Sequence, residues 1–249
     1  PVPIMRAPSR LIAAAALLLT AACATSPEAR EANDPLEPLN RRTFAFNQAA
    51  DETVVRPVAV FYEAAAPSFA RTGVRNFFDN LNQPVIAANA LLQADFETLT
   101  IATARFGLNT TIGVGGLFDV ASKAGLEEPW ADFGQTLGKY GVPSGPYLVL
   151  PLLGPSNPRD TLGRVADNFV HPYEWNDGYV GDGYLIGARV LDIIDQRARL
   201  DDAIMGIERS AIDPYVQVRS GYRQRRETLI QGVVASTPED EFKDLPDFN

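Results

Sequence analysis

The sequence has few of the residues that usually perform catalysis or bind metals. Its 249 residues include one histidine, His171, and one cysteine, Cys23. A lone cysteine excludes an intramolecular disulfide, and any Ser–His–Asp triad would have to use His171. The sequence has neither the ligand spacing of a metal site nor a glycine-rich loop that follows a strand to bind a dinucleotide. We therefore expect no catalytic residue, no metal and no cofactor, in a protein that is not an enzyme.

The apolar run at residues 11–19 is too short to cross a bilayer as a helix, which takes about 20 residues. It follows a basic stretch and precedes small residues, the pattern of a secretory signal, so we assign residues 1–22 as a signal peptide. Cys23 comes next, at the position of the acylated cysteine in bacterial lipoproteins, although Thr20 stands where leucine is usual. We predict that Cys23 carries a lipid anchor. The alternative is a plain secretory signal with an incidental cysteine.

The chain has a net charge of −9, and the signal peptide contributes two arginines and no acid, so its removal leaves −11. Such an acidic protein is repelled by nucleic acid and by anionic lipid surfaces. We therefore expect no nucleic-acid partner, and a membrane attachment that depends on acyl chains and buried apolar area.

Strand signals are scarce, whereas helix start and stop signals are frequent. Asp34, Asn157 and Asp213 each precede a proline, an arrangement that suits a helix N-terminus. Asp34 and Glu37 also have the capping-box spacing. The pattern predicts an all-α, mostly helical fold, as a bundle of amphipathic helices. The predicted helices begin near residue 36 and span residues 68–81, 84–93, 95–108, 117–124, 131–140, 158–170, 183–208 and 214–231.

The domain organisation follows from composition. Residues 23–32 are small and polar, which is typical of a linker, here carrying the lipid. Residues 33–232 form one predicted helical domain, and residues 233–249 form an acidic tail. Residues 147–150 give the best strand signal, and the turn-rich residues 141–146 beside them predict a short hairpin or extended segment.

Two regions leave alternatives open. Between residues 98 and 118 the only charge is Arg105, and glycine and threonine break the apolar pattern. This segment forms either buried core helices or helices that lie in one leaflet of a membrane. In the last helix, Arg219, Arg223 and Arg226 border or continue an aromatic-apolar stripe. They form either the solvated rim of a packed helix or a docking site for an acidic partner or lipid head groups.

Several long motifs resemble the MlaA (VacJ) family. They are NDPLEPLNR at residues 33–41, RPVA at 56–59, NFFDNL at 76–81 and GxYGVxxGPYxxLP at 138–151. The resemblance implies an outer-membrane lipoprotein on the periplasmic face, whose helices form a ring around an amphipathic channel. It also implies transfer of phospholipids from the outer leaflet to the soluble periplasmic carrier of the Mla system, in association with a trimeric porin.

The resemblance also implies where the channel elements lie in this sequence. A hairpin beside the channel and a stretch of the first helix that influences it are expected. The corresponding residues are Gly141, Gly145, Pro146 and Tyr147 in the hairpin, and Phe44, Phe46 and Asn47 in the helix.

Two other hypotheses compete with lipid transport. One is a structural lipoprotein that braces porins and has no transport activity. The other is a phospholipase that uses His171. A cavity lined by polar and apolar groups would favour transport over a brace.

Overall fold

The computed structural model describes residues 27–172 and 182–232. The predicted signal peptide, Cys23 and the predicted acidic tail at residues 233–249 lie outside these ranges. The described residues are mostly helical with one short hairpin, which confirms the predicted class. In chain order the elements are α1 (Pro27–Glu31), α2 (Glu37–Ala50), a π-helical segment (Asp51–Val55), α3 (Arg56–Ala65), α4 (Ser68–Leu92), α5 (Phe96–Thr111), α6 (Val120–Lys123), α7 (Phe133–Lys139), β1 (Leu148–Leu150), β2 (Gly154–Ser156), α8 (Pro158–Val170), α9 (Asp182–Arg199), α10 (Asp201–Ser210) and α11 (Pro214–Gln231).

The two helices with an N-cap followed by proline begin where the sequence predicts. Asn157 accepts a hydrogen bond from the Asp160 N–H at the start of α8. Asp213 accepts one from the Val216 N–H at the start of α11. In each helix proline occupies the first turn, where no N–H is needed. Both predicted spans, 158–170 and 214–231, are therefore confirmed.

The third residue that precedes a proline, Asp34, does not cap a helix. Asp34 is fully buried, and Leu36 is the N-cap residue of α2, with no side-chain cap. The Asp34 carboxylate instead contacts Arg219 of α11. The predicted capping box is therefore wrong, because a buried ion pair has taken up the carboxylate. Within the predicted linker, α1 is helical and Ala29 is buried.

Some helix boundaries also differ from prediction. α4 runs without interruption through Pro84, where the sequence predicts two helices. An interior proline costs about 3 kcal/mol, but buried side chains lie on both sides of it, including Gln83 and Ile86. Leu200 separates α9 from α10, which were predicted as one helix. The continuous rod from α2 through the π-helical segment to α3 extends beyond the single predicted first helix.

The hairpin pairs β1 with the segment that follows it. Leu148 lies opposite Ser156 and Leu150 lies opposite Gly154 in an antiparallel pair. The predicted strand at residues 147–150 corresponds to β1, and its partner strand lies after it, so the turn-rich residues 141–146 precede the hairpin and do not form its turn. The connection contains Leu152, which has a positive φ of 62° and is largely exposed.

Close helix packing surrounds the hairpin and the polar interior. α4 packs against α5, α7 against α8, and α3 against α9, while α2 contacts β1. Where α7 crosses α8, a Cβ added to Gly163 would lie 2.3 Å from the Gly134 nitrogen, so only glycine fits. The apolar core is small and divided. One cluster contains Ile86, Ala102 and Ala131, and the other contains Tyr147, Val149 and Tyr215.

No helix within residues 27–172 and 182–232 is long and apolar enough to span a membrane. The apolar middle of the chain forms α5 and the loop that follows. Its single charge, Arg105, is buried, whereas Ile112, Leu117 and Phe118 are exposed. The helix therefore contributes to the core through Ala102, whereas the loop after it presents the exposed apolar side chains.

Candidate functional site

The distribution of polar and apolar side chains is inverted relative to a typical water-soluble domain. Among the described residues, more polar or charged side chains are buried than apolar ones. They include Arg105, Asn109 and Asn89, each about 2% exposed. Arg105 donates to Asp119 and Ser122, and Asn109 also donates to Asp119. Buried polar groups must be hydrogen-bonded to be tolerated, so the interior is an organised polar network.

Many large apolar side chains lie on the surface of the protein. Phe61 is 72% exposed, Phe69 is 79% exposed and Phe169 is 77% exposed. Exposed apolar surface on this scale marks an interaction face. The other exposed apolar side chains on the helices include Val58, Val60, Leu91, Leu92, Phe96, Leu162, Val165, Ile186, Val190 and Ile193.

Two asparagines of α2, one heptad apart, hold β1 and its turn. Asn40 Nδ2 donates to the Tyr147 carbonyl at 3.0 Å, and Asn40 Oδ1 accepts from the Val149 N–H at 2.9 Å. Asn47 repeats this arrangement, with its Nδ2 2.9 Å from the Leu150 carbonyl and its Oδ1 2.8 Å from the Leu152 nitrogen. We call Asn40 and Asn47 the amide clamp. Their side chains satisfy backbone groups that a neighbouring strand would otherwise pair.

The structure therefore brings together the two stretches in which the family resemblance implies channel elements. Asn47 binds the hairpin directly, and Phe44 packs edge-on against Tyr215, which in turn contacts Tyr147. Phe46 does not join this cluster and is 55% exposed.

The glycines of the predicted hairpin occupy the turns before β1. Gly141 and Gly145 have positive φ values of 83° and 74°. A Cβ at Gly145 would lie 3.1 Å from Pro158, so both backbone conformation and space favour glycine there. Asn33 donates to the Gly145 carbonyl, and Pro146 is partly exposed.

Two of the three predicted docking arginines are part of the interior. Arg219 is 5% exposed and contacts Asp34 at 2.8 Å. Arg226 contacts Asp132 at 2.6 Å and Asp160 at 2.8 Å. These side chains are already paired with internal carboxylates, which excludes an exposed rim formed by them. Of the three, Arg223 alone lies on the exposed surface, where it donates to the Ala32 carbonyl.

A cleft of about 310 Å³ lies between the segment before β1, the start of α8 and α11. Gly145 and Tyr147 line one wall, while Arg223 and Arg226 line the other. The predicted hairpin and docking residues thus meet at one place. The Tyr147 hydroxyl is buried there without a hydrogen-bond partner among the described groups, and burial raises its pKa.

A larger cavity lies between α4, α9 and the loop before α7. Its volume is about 460 Å³, within the range of ligand-binding pockets. We call it the polar cavity. Its lining combines charges of both signs with apolar groups: Arg75, Asn76, Phe78, Asp79, Asn82, Asp119, Glu128, Trp130, His171, Asp192, Gln196, Arg199 and Leu200.

The carboxylates of the polar cavity are poorly solvated. Burial raises the pKa of Asp79 to about 7, and the nearby charge of Glu128 adds to the rise. Burial also raises the pKa of Glu128 and of Asp192. Asp119 is the exception: although burial opposes it, hydrogen bonds from Ser122 lower its pKa to about 2. Burial therefore favours the neutral form of three of the four carboxylates.

The sequence reading missed this cavity. Arg75 and Asp79 are one helical turn apart on α4, and Asp192 and Arg199 occur on α9, so a charge-bearing face was readable on each helix. The apposition of the two faces was not readable, because it depends on tertiary packing. No group of three or more metal-ligating side chains occurs among the described residues.

Comparisons with known proteins give consistent results. The family model described as MlaA lipoprotein matches residues 32–229. The intermembrane phospholipid transport system lipoprotein MlaA of Escherichia coli is 38% identical over 220 residues, covering 86% of this chain and 85% of the relative. The protein of the same name in Haemophilus influenzae is 32% identical over 228 residues, covering 88% and 89%.

A solved structure also matches, from work on the structural basis for maintenance of bacterial outer membrane lipid asymmetry. It has a TM-score of 0.70 and 39% sequence identity, and the match covers 79% of this chain and 98% of that one. Fold and sequence therefore point to the same group of proteins.

Proposed function

The chain belongs to the MlaA lipoprotein family, and from this premise we propose that it removes phospholipids from the outer leaflet of an outer membrane and passes them to a soluble periplasmic carrier. This intermembrane phospholipid transport maintains the lipid asymmetry of the membrane. It makes and breaks no covalent bond. The scarcity of nucleophiles and metal ligands agrees with such a function.

The inverted burial pattern is the single observation that carries the proposal. Exposed side chains such as Phe61, Phe69 and Phe169 each cost about 1.5–3 kcal/mol in water relative to burial. Contact with lipid tails removes that cost, because the side chains are then shielded from water. The buried polar network meanwhile supplies an interior that a charged head group tolerates. A water-soluble brace would place these two kinds of side chain the other way round.

The energetics of lipid transfer explain why such a protein is needed. Two acyl chains of about 16 carbons cost about 25 kcal/mol in water, at about 0.8 kcal/mol per CH₂. Spontaneous desorption is therefore very slow. The protein lowers the barrier by offering the head group a polar passage while the tails stay in apolar surroundings. The polar cavity, with Phe78 and Trp130 in its wall, provides surroundings of both kinds.

The remaining assignments belong to the same proposal. Acyl chains on Cys23 hold the protein at the periplasmic face of the outer membrane, and its apolar outer surface lies in the inner leaflet beside a trimeric porin. The amide clamp and the hairpin, with Phe44, Phe46, Asn47, Gly141, Gly145, Pro146 and Tyr147, border the passage. Arg223 remains available for partner contacts at the cleft.

Two other functions are less well supported. A structural brace needs no polar cavity. A phospholipase needs a nucleophile near His171, and the described residues that line the polar cavity beside it include no serine, threonine or cysteine. Replacing His171 with alanine tests this second alternative, because outer-leaflet clearance persists in the variant if the protein only transports lipid.

The decisive experiment isolates the acylated protein from membranes in mild detergent and identifies bound lipids and proteins by mass spectrometry. We expect a phospholipid and a porin. A Cys23→Ala variant, which lacks the acylated residue, controls for lipid acquired from the membrane. Isolation of the acylated protein without any phospholipid would contradict the proposal.

A further inference from the structure

The cleft between the segment before β1, the start of α8 and α11 contains a polar group that the fold does not use. Tyr147 lines this cleft and is 3% exposed, and its hydroxyl has no hydrogen-bond partner among the described residues. A buried polar group without a partner is costly, and a ligand that binds there would explain it. Burial and the charge of Asp34 raise the pKa of Tyr147, so the hydroxyl keeps its proton and can donate a hydrogen bond.

A buried guanidinium group in the same cleft also has unused donor capacity. Arg159 is 7% exposed, and its Nε donates to Asp160 while its Nη1 donates to the Val142 carbonyl at 3.3 Å. A guanidinium has five N–H donors, and these contacts leave Nη2 without an acceptor among the described residues. On the α11 side, Arg223 is exposed and adds a second guanidinium to the lining.

The charges around the cleft are balanced. Arg159 and Arg226 share the carboxylate of Asp160, and Arg226 also contacts Asp132. The exposed arginine on α11 and Glu227 add one charge of each sign to the lining. Long-range attraction therefore does not select the ligand. Selection depends on the two buried donors, and Glu227 should weaken the binding of any anion.

The donors lie on three separate elements, an arrangement that suits a tetrahedral anion. A phosphate ester has several strong acceptor oxygens that point in different directions, whereas a carboxylate has two in one plane. The cleft volume of about 310 Å³ lies at the lower end of the range for small-molecule sites. We propose that the cleft binds a phosphate ester, with Tyr147 and Arg159 donating to the phosphate oxygens and Arg223 contacting them from the exposed side. The ester is either a phospholipid head group or a soluble compound.

The test measures the binding of two phosphate esters to the purified acylated protein in detergent micelles by isothermal titration calorimetry. Glycerol 3-phosphate is the soluble ester, dihexanoyl phosphatidylglycerol is the lipid, and glycerol without phosphate is the negative control. We expect saturable binding of at least one ester and none of glycerol. Tighter binding of the lipid identifies a head-group site, and tighter binding of glycerol 3-phosphate identifies a site for a soluble ester.

Tyr147→Phe distinguishes a ligand-binding role from a structural one. The variant removes a hydroxyl that makes no internal hydrogen bond, so its unfolding midpoint in denaturant should be unchanged or higher. Its affinity for the ester should fall about tenfold, because a hydrogen bond to an anion is lost. Tyr140→Phe is the matched control, since Tyr140 is exposed and does not line the cleft, and it should leave the affinity unchanged.

Glu227→Gln should have the opposite effect. It removes the carboxylate from the lining of the cleft and should strengthen ester binding severalfold. Glu52→Gln, which removes an exposed carboxylate in the π-helical segment, should have no effect. Circular dichroism reports whether each variant folds. Arg223→Gln replaces Tyr147→Phe if that variant does not fold, and it should also weaken binding.

The outcomes separate this inference from the transport proposal. Absence of ester binding in the wild-type protein overturns the inference, and so does an affinity that Tyr147→Phe leaves unchanged, because the phosphate then lies elsewhere. If the wild-type protein still transfers phospholipid to a soluble carrier in that case, transport stays intact. Ester binding that depends on Tyr147, without any lipid transfer, supports the phosphate site and counts against transport.

Discussion

Arg219 Nη1 lies 2.8 Å from Asp34 Oδ2, and both side chains are buried. This ion pair joins α11 to the segment before α2, and the Tyr215 hydroxyl donates to the same carboxylate. The Asp34 carboxylate therefore connects the segment before α2 with α11.

We predict that Asp34→Asn lowers the free energy of unfolding by about 3 kcal/mol, because it leaves the buried Arg219 charge with only the more distant carboxylate of Glu37, at 3.7 Å. Denaturant unfolding followed by circular dichroism measures the change. Glu63→Gln is the matched control, since Glu63 forms an exposed pair with Arg71; its effect should stay within about 1 kcal/mol. Similar losses in the two variants would show that burial of the pair does not matter.

The amide clamp gives a second prediction. Asn47→Ala removes two hydrogen bonds, one to the Leu150 carbonyl and one from the Leu152 N–H. The loss of about 1–3 kcal/mol should open the turn locally and speed hydrogen exchange at the Leu152 amide at least about fivefold. Exposed Asn168 on α8 provides the control, because Asn168→Ala should leave that exchange rate unchanged. An unchanged rate in the Asn47 variant would exclude the clamp.

The crossing of α7 and α8 gives a third prediction. Gly163→Ala would place a Cβ 2.3 Å from the Gly134 nitrogen, so the helices must separate, at a cost of about 1–3 kcal/mol. Gly187, also within a helix, has nothing within 4 Å of an added Cβ. Gly187→Ala should therefore be neutral or stabilising by up to about 1 kcal/mol. Thermal or denaturant unfolding distinguishes the two, and equal effects would contradict the close crossing.

The polar cavity predicts how stability depends on pH. The pKa of Asp79 is raised from 3.8 to about 7 by burial and by Glu128, while Arg75 and Arg199 act against the rise and Asp192 adds to it. The folded state therefore holds a proton that the unfolded state has lost. The contribution of Asp79 is fully present below about pH 4 and disappears as pH rises through about 7.

Asp79→Asn should accordingly have a smaller loss of stability than the wild-type protein when the pH is raised from 5 to 8. Unfolding free energies at the two pH values measure this, and exposed Asp202→Asn is the control that should behave like wild type. A wild-type-like slope in the Asp79 variant would mean that this carboxyl does not titrate in that range.

Local signals explain why part of the fold was predictable. Asn157 and Asp213 cap α8 and α11 through their own side chains, so sequence alone locates both helices. Asp34 has the same local signature, yet its carboxylate contacts Arg219, 185 residues away. Pro84 likewise signals a break that packing on both sides of α4 overrides. Where a distant partner and a local one compete for the same side chain, the sequence pattern does not show which of them it binds.

The candidate site was predictable to a similar extent. The hairpin and the stretch around Asn47 were identified through family resemblance, and the structure places them in contact. The arginines of α11 were read as an exposed rim because helical spacing gives their faces but not their neighbours. Asp132 and Asp160, which pair with Arg226, come from two other segments of the chain. The polar cavity was missed for the same reason.

The π-helical segment between α2 and α3 has a geometric consequence for the whole molecule. One additional residue in a helical turn rotates everything that follows by about 100° relative to an unbroken α-helix. Asn47, before the segment, holds the hairpin, whereas Tyr62, after it, donates to Asp195 of α9. Deleting a single residue from Asp51–Val55 would restore a regular helix and turn Tyr62 away from α9. These five residues therefore set the angle between the hairpin and α9.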